Sequence, residues 1–197
     1  LSLSAVKREK DAPVRHLPGE EGLWVFIGGD LLVFSLFFGL FLYYRGENLE
    51  LFEESHRALN RGFGLLNTTL LLTSSLFVAT AVASARQALH ARAGKLLIAA
   101  IACGFGFGIS KAFEYAAKFK AGIALDTNEF FMFYFMLTGI HMVHVIIATS
   151  VLFYLWTKTR ASVRGANYIA VMEAGGVFWH LVDLLWVVLF ALLYLVA

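Results

Sequence analysis

The chain has 197 residues, of which 59% are hydrophobic and only two are proline, with a mean hydropathy of +0.73. So much apolar surface is out of place in a soluble domain of this size and is required of a polytopic membrane protein. A net charge of +2 without any Lys/Arg-rich block argues against nucleic acid as a partner, and the single cysteine, Cys103, excludes an intrachain disulfide and a Cys-x-x-Cys-His haem attachment.

Residues 1–21 are charged and mixed in sign (Lys7, Arg8, Glu9, Lys10, Asp11, Arg15), punctuated by Pro13 and Pro18. No apolar stretch of the kind a signal peptide needs lies there, so a short solvent-facing arm is expected. With Leu1 rather than Met at the start, the sequence is expected to begin downstream of the translation start.

Five apolar segments follow, near 22–44, 62–85, 95–117, 129–157 and 172–196, each about 20 residues or more and so long enough to span a bilayer. The expectation is an all-α protein: the arm 1–21, then one domain, 22–197, of five transmembrane helices joined by short loops. Lys and Arg decide the orientation. The arm, the 86–95 turn (Arg86, Arg92, Lys95) and the 158–171 loop (Lys158, Arg160, Arg164) share one side and carry ten basic residues. Arg45, Arg57, Arg61, Lys118 and Lys120 make five on the other side, so the positive-inside rule puts the N-terminus in the cytoplasm.

Span one holds Gly28-Gly29-Asp30 in an otherwise apolar run. An acid inside a membrane must face protein, either as a carboxylate satisfied by a neighbouring helix or as a proton-handling group. Small hydroxyl residues and Asn67 run through span two, where they are ordinary helix–helix glue. In span three, Gly104 and Gly108 are spaced for close helix contact, and Lys111 and Glu114 stand three apart near the outer end, where they can pair or snorkel.

Spans four and five carry the sharper pattern. Tyr134, Thr138, His141 and His144 form one helical stripe, and Glu173, Gly176, His180 and Asp183 form another. At 1.5 Å of rise per residue, Asp30 and His180 both fall about 12 Å inside the cytoplasmic edge of their spans, with His144 at a similar depth. A shared polar layer of Asp30, His144, His180 and Asp183 is therefore expected. Three uses of such a layer stay open: a structural hydrogen-bonded network with lipid head groups, a metal or haem site, or a proton path. On the second reading the chain would be an independent haem- or metal-binding membrane redox protein.

These residues carry a resemblance. Phe133-Tyr134 with Thr138-Gly139-Ile140-His141 and His144-Val145 resembles the Thr-Gly-Phe-His-Gly-x-His-Val signature of subunit III of the haem–copper respiratory oxidases (cytochrome c oxidase subunit III). Glu173 followed by Trp179-His180-Leu181-Val182-Asp183 and Trp186 resembles that family's Glu…Trp-His-Phe-Val-Asp…Trp signature. Asn67-Thr68, Ser74-Ser75 and Glu114-Tyr115 come in the family's order, and Asp30 stands where the family has its intramembrane carboxylate.

The resemblance covers residue 22 to the C-terminus and implies a short, five-helix bacterial form in the inner (cytoplasmic) membrane. It implies an accessory subunit with no catalytic residue and no cofactor or metal of its own. Its partner would be a haem-bearing catalytic subunit of a terminal oxidase or a nitric oxide reductase, holding haem with copper or non-haem iron. In that reading Asp30, Asn67, Glu114, His141, His144, Glu173, His180 and Asp183 form a structural and phospholipid-binding network, with Gly104 and Gly108 setting helix contact. Two departures stand out: Met142 replaces the glycine after the first histidine, and Leu181 replaces the phenylalanine of the second motif. Both make the chain similar also to the subunit-III-like protein of some nitric oxide reductases (the NorE type).

Overall fold

The computed structural model describes residues 21–161, 165 and 167–196, so the N-terminal arm up to residue 20 lies outside the described residues. Six helices follow in order: α1 (Glu21–Glu47), α2 (Leu49–Arg57), α3 (Arg61–Arg86), α4 (His90–Lys120), α5 (Glu129–Arg160) and α6 (Tyr168–Phe190). A single π-helical turn, Ala191–Leu195, continues α6. All but α2 are long and apolar enough to cross a membrane, as the composition predicts, and no strand occurs among the described residues.

The helices are longer than the apolar runs alone suggest, because polar residues extend their ends. Asn60 caps α3 by accepting from the Gly62 N–H (2.8 Å), and Asn128 caps α5 by accepting from the Phe131 N–H (2.9 Å). α4 ends where Gly122 turns to φ +75° and the Ile123 N–H reaches back to the Lys118 carbonyl (3.0 Å). The same device ends α3, with Leu89 N–H bonded to the Ser84 carbonyl at 2.9 Å. There the left-handed position is filled by Ala88 at φ 57°, which costs about 1 kcal/mol that a glycine would not incur.

Two expectations need correction. The 86–95 turn is only the three residues 87–89, since α4 starts five residues before the apolar run at 95. The connection 45–61 between the first two spans, expected as a short loop, contains a helix, α2, that buries Phe52, Ser55 and His56 and leaves Glu50, Glu53 and Glu54 exposed. At nine residues, three of them apolar, it is too short for a span, but its period matches the surface it covers.

α3, α4, α5 and α6 form a closed ring in chain order, with α6 returning to α3; α1 leans on the outside of α5 and α6. Phe107 sits in the ring's interior, edge-on to Trp186 (centroids 4.8 Å) and to His141 (5.7 Å). α1 is attached through aromatic edges: Phe34 on the His144 ring (5.6 Å), Phe41 on Phe133 (5.8 Å) and Phe26 on Phe178 (5.9 Å). α2 closes one end, with Phe52 between Phe41 (5.4 Å) and Phe130 (5.6 Å).

Candidate functional site: three buried polar clusters

Lys111 lies on the inward face of α4, where it is 1% exposed. One helical turn on, Glu114 (2% exposed) receives its ammonium at 2.9 Å. Tyr194 completes a triangle: its hydroxyl accepts from Lys111 Nζ (2.9 Å) and donates to Glu114 Oε1 (2.6 Å). The rings of Tyr134 and Trp186 lie 5.0 Å from the ammonium, those of Tyr194 and Tyr115 at 5.5 and 5.7 Å. Four aromatic faces around a desolvated cation each contribute attraction that water would otherwise screen.

The π turn is what lets Tyr194 reach this triangle, and Gly64 is what makes room for it. A Cβ at Gly64 would stand 2.8 Å from the Tyr194 ring. Around the cage, Trp186 Nε1 donates to Thr68 Oγ1 (3.0 Å), and Tyr115 donates to Thr138 Oγ1 (2.6 Å) because the Thr138 hydroxyl is committed to the Tyr134 carbonyl. The expected alternative of snorkelling does not occur, since the cage faces the bundle interior. Spacing alone signals the Lys111–Glu114 pair; Tyr134, Trp186 and Tyr194 as its walls come only from the fold.

The second cluster joins α1 to α5. Asp30 Oδ1 lies 3.0 Å from His144 Nε2, with the two side chains 11% and 15% exposed. His144 Nδ1 faces the Ile140 carbonyl at 2.9 Å, and a carbonyl can only accept, so Nδ1 carries a hydrogen. The Nε2–Oδ1 contact then closes the seam between α1 and α5. Asp30 Oδ2 is buried without a partner among the described residues.

The third cluster joins α3 to α6. Ser75 Oγ is 2.5 Å from His180 Nδ1, and Ser75 also lies against Asp183, itself 7% exposed. At the start of α6, Glu173 pairs with Arg86 at 2.9 Å. The layer expected from Asp30, His144, His180 and Asp183 is therefore divided. Asp30 and His144 close the α1/α5 seam, whereas His180 and Asp183 close the α3/α6 seam, and no hydrogen bond links the two pairs among the described residues.

His141 and Asn67 stand apart from these clusters. Both are fully buried, and neither ring nitrogen of His141 nor either amide atom of Asn67 meets a partner among the described residues. His141 instead presents its ring to Phe107 and Trp186 (centroids 5.7 and 5.3 Å). Of the two glycines expected at a helix contact, Gly104 is tight: a Cβ would lie 3.0 Å from Thr149 Oγ1 and 3.2 Å from Trp179. Gly108 has nothing within 4 Å of that position, so the spacing overstates the contact face. Gly94 and Gly175 hold further close approaches, against Thr159 (2.9 Å) and Leu155 (2.7 Å). No group of three or more His, Cys, Asp or Glu side chains gathers among the described residues in a way that could hold a metal ion.

Fold and clusters together define a class: a multi-pass helical membrane protein most of whose buried ionisable side chains are satisfied by other side chains of the bundle. Its sequence is 27% identical over 180 residues to a heme-copper oxidase subunit I+III of Aeropyrum pernix, an alignment spanning 88% of this chain and 22% of that one. It is 28% identical over 177 residues to a cytochrome c oxidase subunit 3 of Alkalihalophilus pseudofirmus, spanning 88% and 84%. The corresponding Drosophila melanogaster protein is 30% identical over 130 residues, which are 66% of this chain and 48% of that protein. The chain thus spans about a fifth of the archaeal relative and about half of the insect one. The description of cytochrome c oxidase subunit III matches residues 19–197. The chain belongs to the cytochrome c oxidase subunit III family.

Proposed function

We propose that this chain is an accessory, non-catalytic subunit of a haem–copper oxidase complex. It packs in the membrane against the haem-bearing catalytic subunit, which holds the haem and copper. One observation carries this reading: the Aeropyrum pernix relative is named as subunit I and subunit III in a single chain. Relatives named as oxidase subunits favour an oxidase over a nitric oxide reductase as the complex served. The three polar clusters support the same reading, because each ties one helix of the bundle to another and together they make a rigid body that a larger subunit can lean on.

Phospholipid binding is part of the proposal. Where α5 ends and α6 begins, a cavity of about 210 Å³ is lined by Tyr154, Lys158, Asn167 and Tyr168. Lys158 lies over the Tyr154 ring at 5.0 Å and Arg160 over Trp156 at 4.9 Å, an aromatic and basic rim suited to a lipid phosphate. In the proposed orientation, N-terminus in the cytoplasm of a bacterial inner membrane, this rim faces the cytoplasmic leaflet.

Purification of the tagged chain from its native membrane in mild detergent tests the proposal. A haem-bearing subunit and phospholipid should come with it, and the haem spectrum should belong to the larger subunit. Haem or metal bound stoichiometrically to this chain alone would overturn it.

A further inference from the structure

His180 is exposed, yet it stands at the middle of its span. It lies about 18 Å from the start of α6, and Ser75 about 21 Å from the start of α3, at 1.5 Å per residue. Its Nδ1 is taken by Ser75 at 2.5 Å, and Nε2 has no hydrogen-bond partner among the described residues. No other ionisable side chain among the described residues is exposed at that depth; Asp30, His144, Lys111 and Glu114 are all turned into the bundle.

The surroundings of His180 form a groove. Phe178, two residues earlier, meets Phe26 of α1, while Gly176 and His180 meet α3 through Val82 and Ser75. α1 and α3 thus flank α6 without packing appreciably on each other. Exposed Leu76 and Leu184 line this groove around the imidazole.

We infer that a transmembrane helix of the haem-bearing catalytic subunit lies in this groove and presents a hydrogen-bonding side chain to His180 Nε2. The inference rests on the accessory-subunit reading above and adds to it the face that is used. Acyl chains offer no donor or acceptor, and water does not reach the hydrocarbon centre, so an exposed imidazole there calls for a polar partner held on a helix. Ser75 fixes the complement it needs. If its hydroxyl donates to Asp183, His180 Nδ1 must donate to Ser75, leaving the Nε2 lone pair outward as an acceptor. A Ser, Thr, Asn, Gln or Tyr on the incoming helix satisfies that geometry, and leucines on either side supply the packing around it.

The test combines a cross-link and a substitution in the native complex. A photo-crosslinking residue at Leu184 should capture the haem-bearing subunit, and the same residue at exposed Phe113 on α4 should not. His180→Leu should lower the amount of that subunit co-purified by about tenfold, whereas His180→Gln, which keeps a hydrogen-bonding tip, should retain most of it. Unchanged recovery with His180→Leu, or a Leu184 probe that captures lipid alone while the unsubstituted chain still brings the haem subunit, would sink the inference and leave the accessory role standing. A native chain that brings no haem-bearing subunit removes both. Should His180→Leu fail to fold, the Leu184 cross-link decides alone.

Discussion

Replacing Lys111 by methionine removes the ammonium but keeps most of the side chain's volume. Glu114 is then left 2% exposed, with Tyr194 as its remaining donor at 2.6 Å. An uncompensated buried charge typically costs about 3–5 kcal/mol. Lost attraction to the rings of Tyr134 and Trp186, at 5.0 Å each, adds to that. Lys111→Met should therefore destabilise the bundle by about 3 kcal/mol or more. Glu114→Leu should cost a similar amount, by stranding the ammonium.

The double variant Lys111→Met/Glu114→Leu should lie within about 1–2 kcal/mol of the native protein, because replacing both buried charges by apolar groups of like size is often close to neutral. Reversible unfolding of the detergent-solubilised chain, followed by tryptophan fluorescence with Trp186 at the cage wall, gives all four corners of the cycle. The expected coupling is about 4 kcal/mol. A double variant that costs the sum of its singles would refute an ion pair inside an apolar bundle, and so would a single variant costing under about 1 kcal/mol, the worth of an exposed pair.

Further outcomes follow from the geometry. Tyr194→Phe should cost about 1.5–3 kcal/mol in the same assay, since its hydroxyl bonds both charged partners. Gly104→Ala should cost about 1–3 kcal/mol by pushing on Thr149 and Trp179, while Gly108→Ala should change stability by less than about 0.5 kcal/mol. Ala88→Gly should raise stability by about 0.5–1 kcal/mol, as measured by the unfolding midpoint. For orientation, a cysteine placed at Gln87 in a Cys103→Ala background should react only with a membrane-permeant thiol reagent in intact cells, and one at Asp126 with an impermeant one.

Much of the fold could be read from the chain because the bilayer imposes a length: five runs of about 20 apolar residues admit few other architectures. α2 escaped because nine residues with three outward glutamates resemble a polar loop until the surface that accepts Phe52 is known. Stripes on single helices were legible, since a helix has a fixed period, but partners across a seam depend on helix rotation. That is why Asp30 and His144 could be named without being joined, and why His180 could be put in the same layer as Asp30 although it turns toward Ser75. Counting depth from the apolar run at 172 also placed His180 shallow; α6 begins at Tyr168. Tyr194 carries no local signal at all. Its role arises at a π turn and needs the space that Gly64 leaves on another helix.

A common logic connects these pairings. Between two helices in lipid, apolar contacts discriminate poorly among registers, because a leucine is as well solvated by an acyl chain as by another leucine. A hydrogen bond or ion pair has one position in which it closes, and a slip of a single turn, 5.4 Å, breaks it. This bundle places such a contact at seam after seam: Ser74 to the Ala100 carbonyl between α3 and α4 (3.1 Å), Tyr115–Thr138 between α4 and α5, Lys111 and Glu114 to Tyr194 beyond α6, and Ser75–His180 between α6 and α3. Asp30–His144 does the same for α1, the most loosely packed helix. At α5/α6 the register is set by shape, with Gly175 admitting Leu155 to a distance no Cβ would allow. Most of the ionisable residues that suggest chemistry when met in sequence thus stand in contacts that close in only one helix register. His180, whose outer nitrogen has no hydrogen-bond partner among the described residues, is where the proposed second protein would continue that alignment.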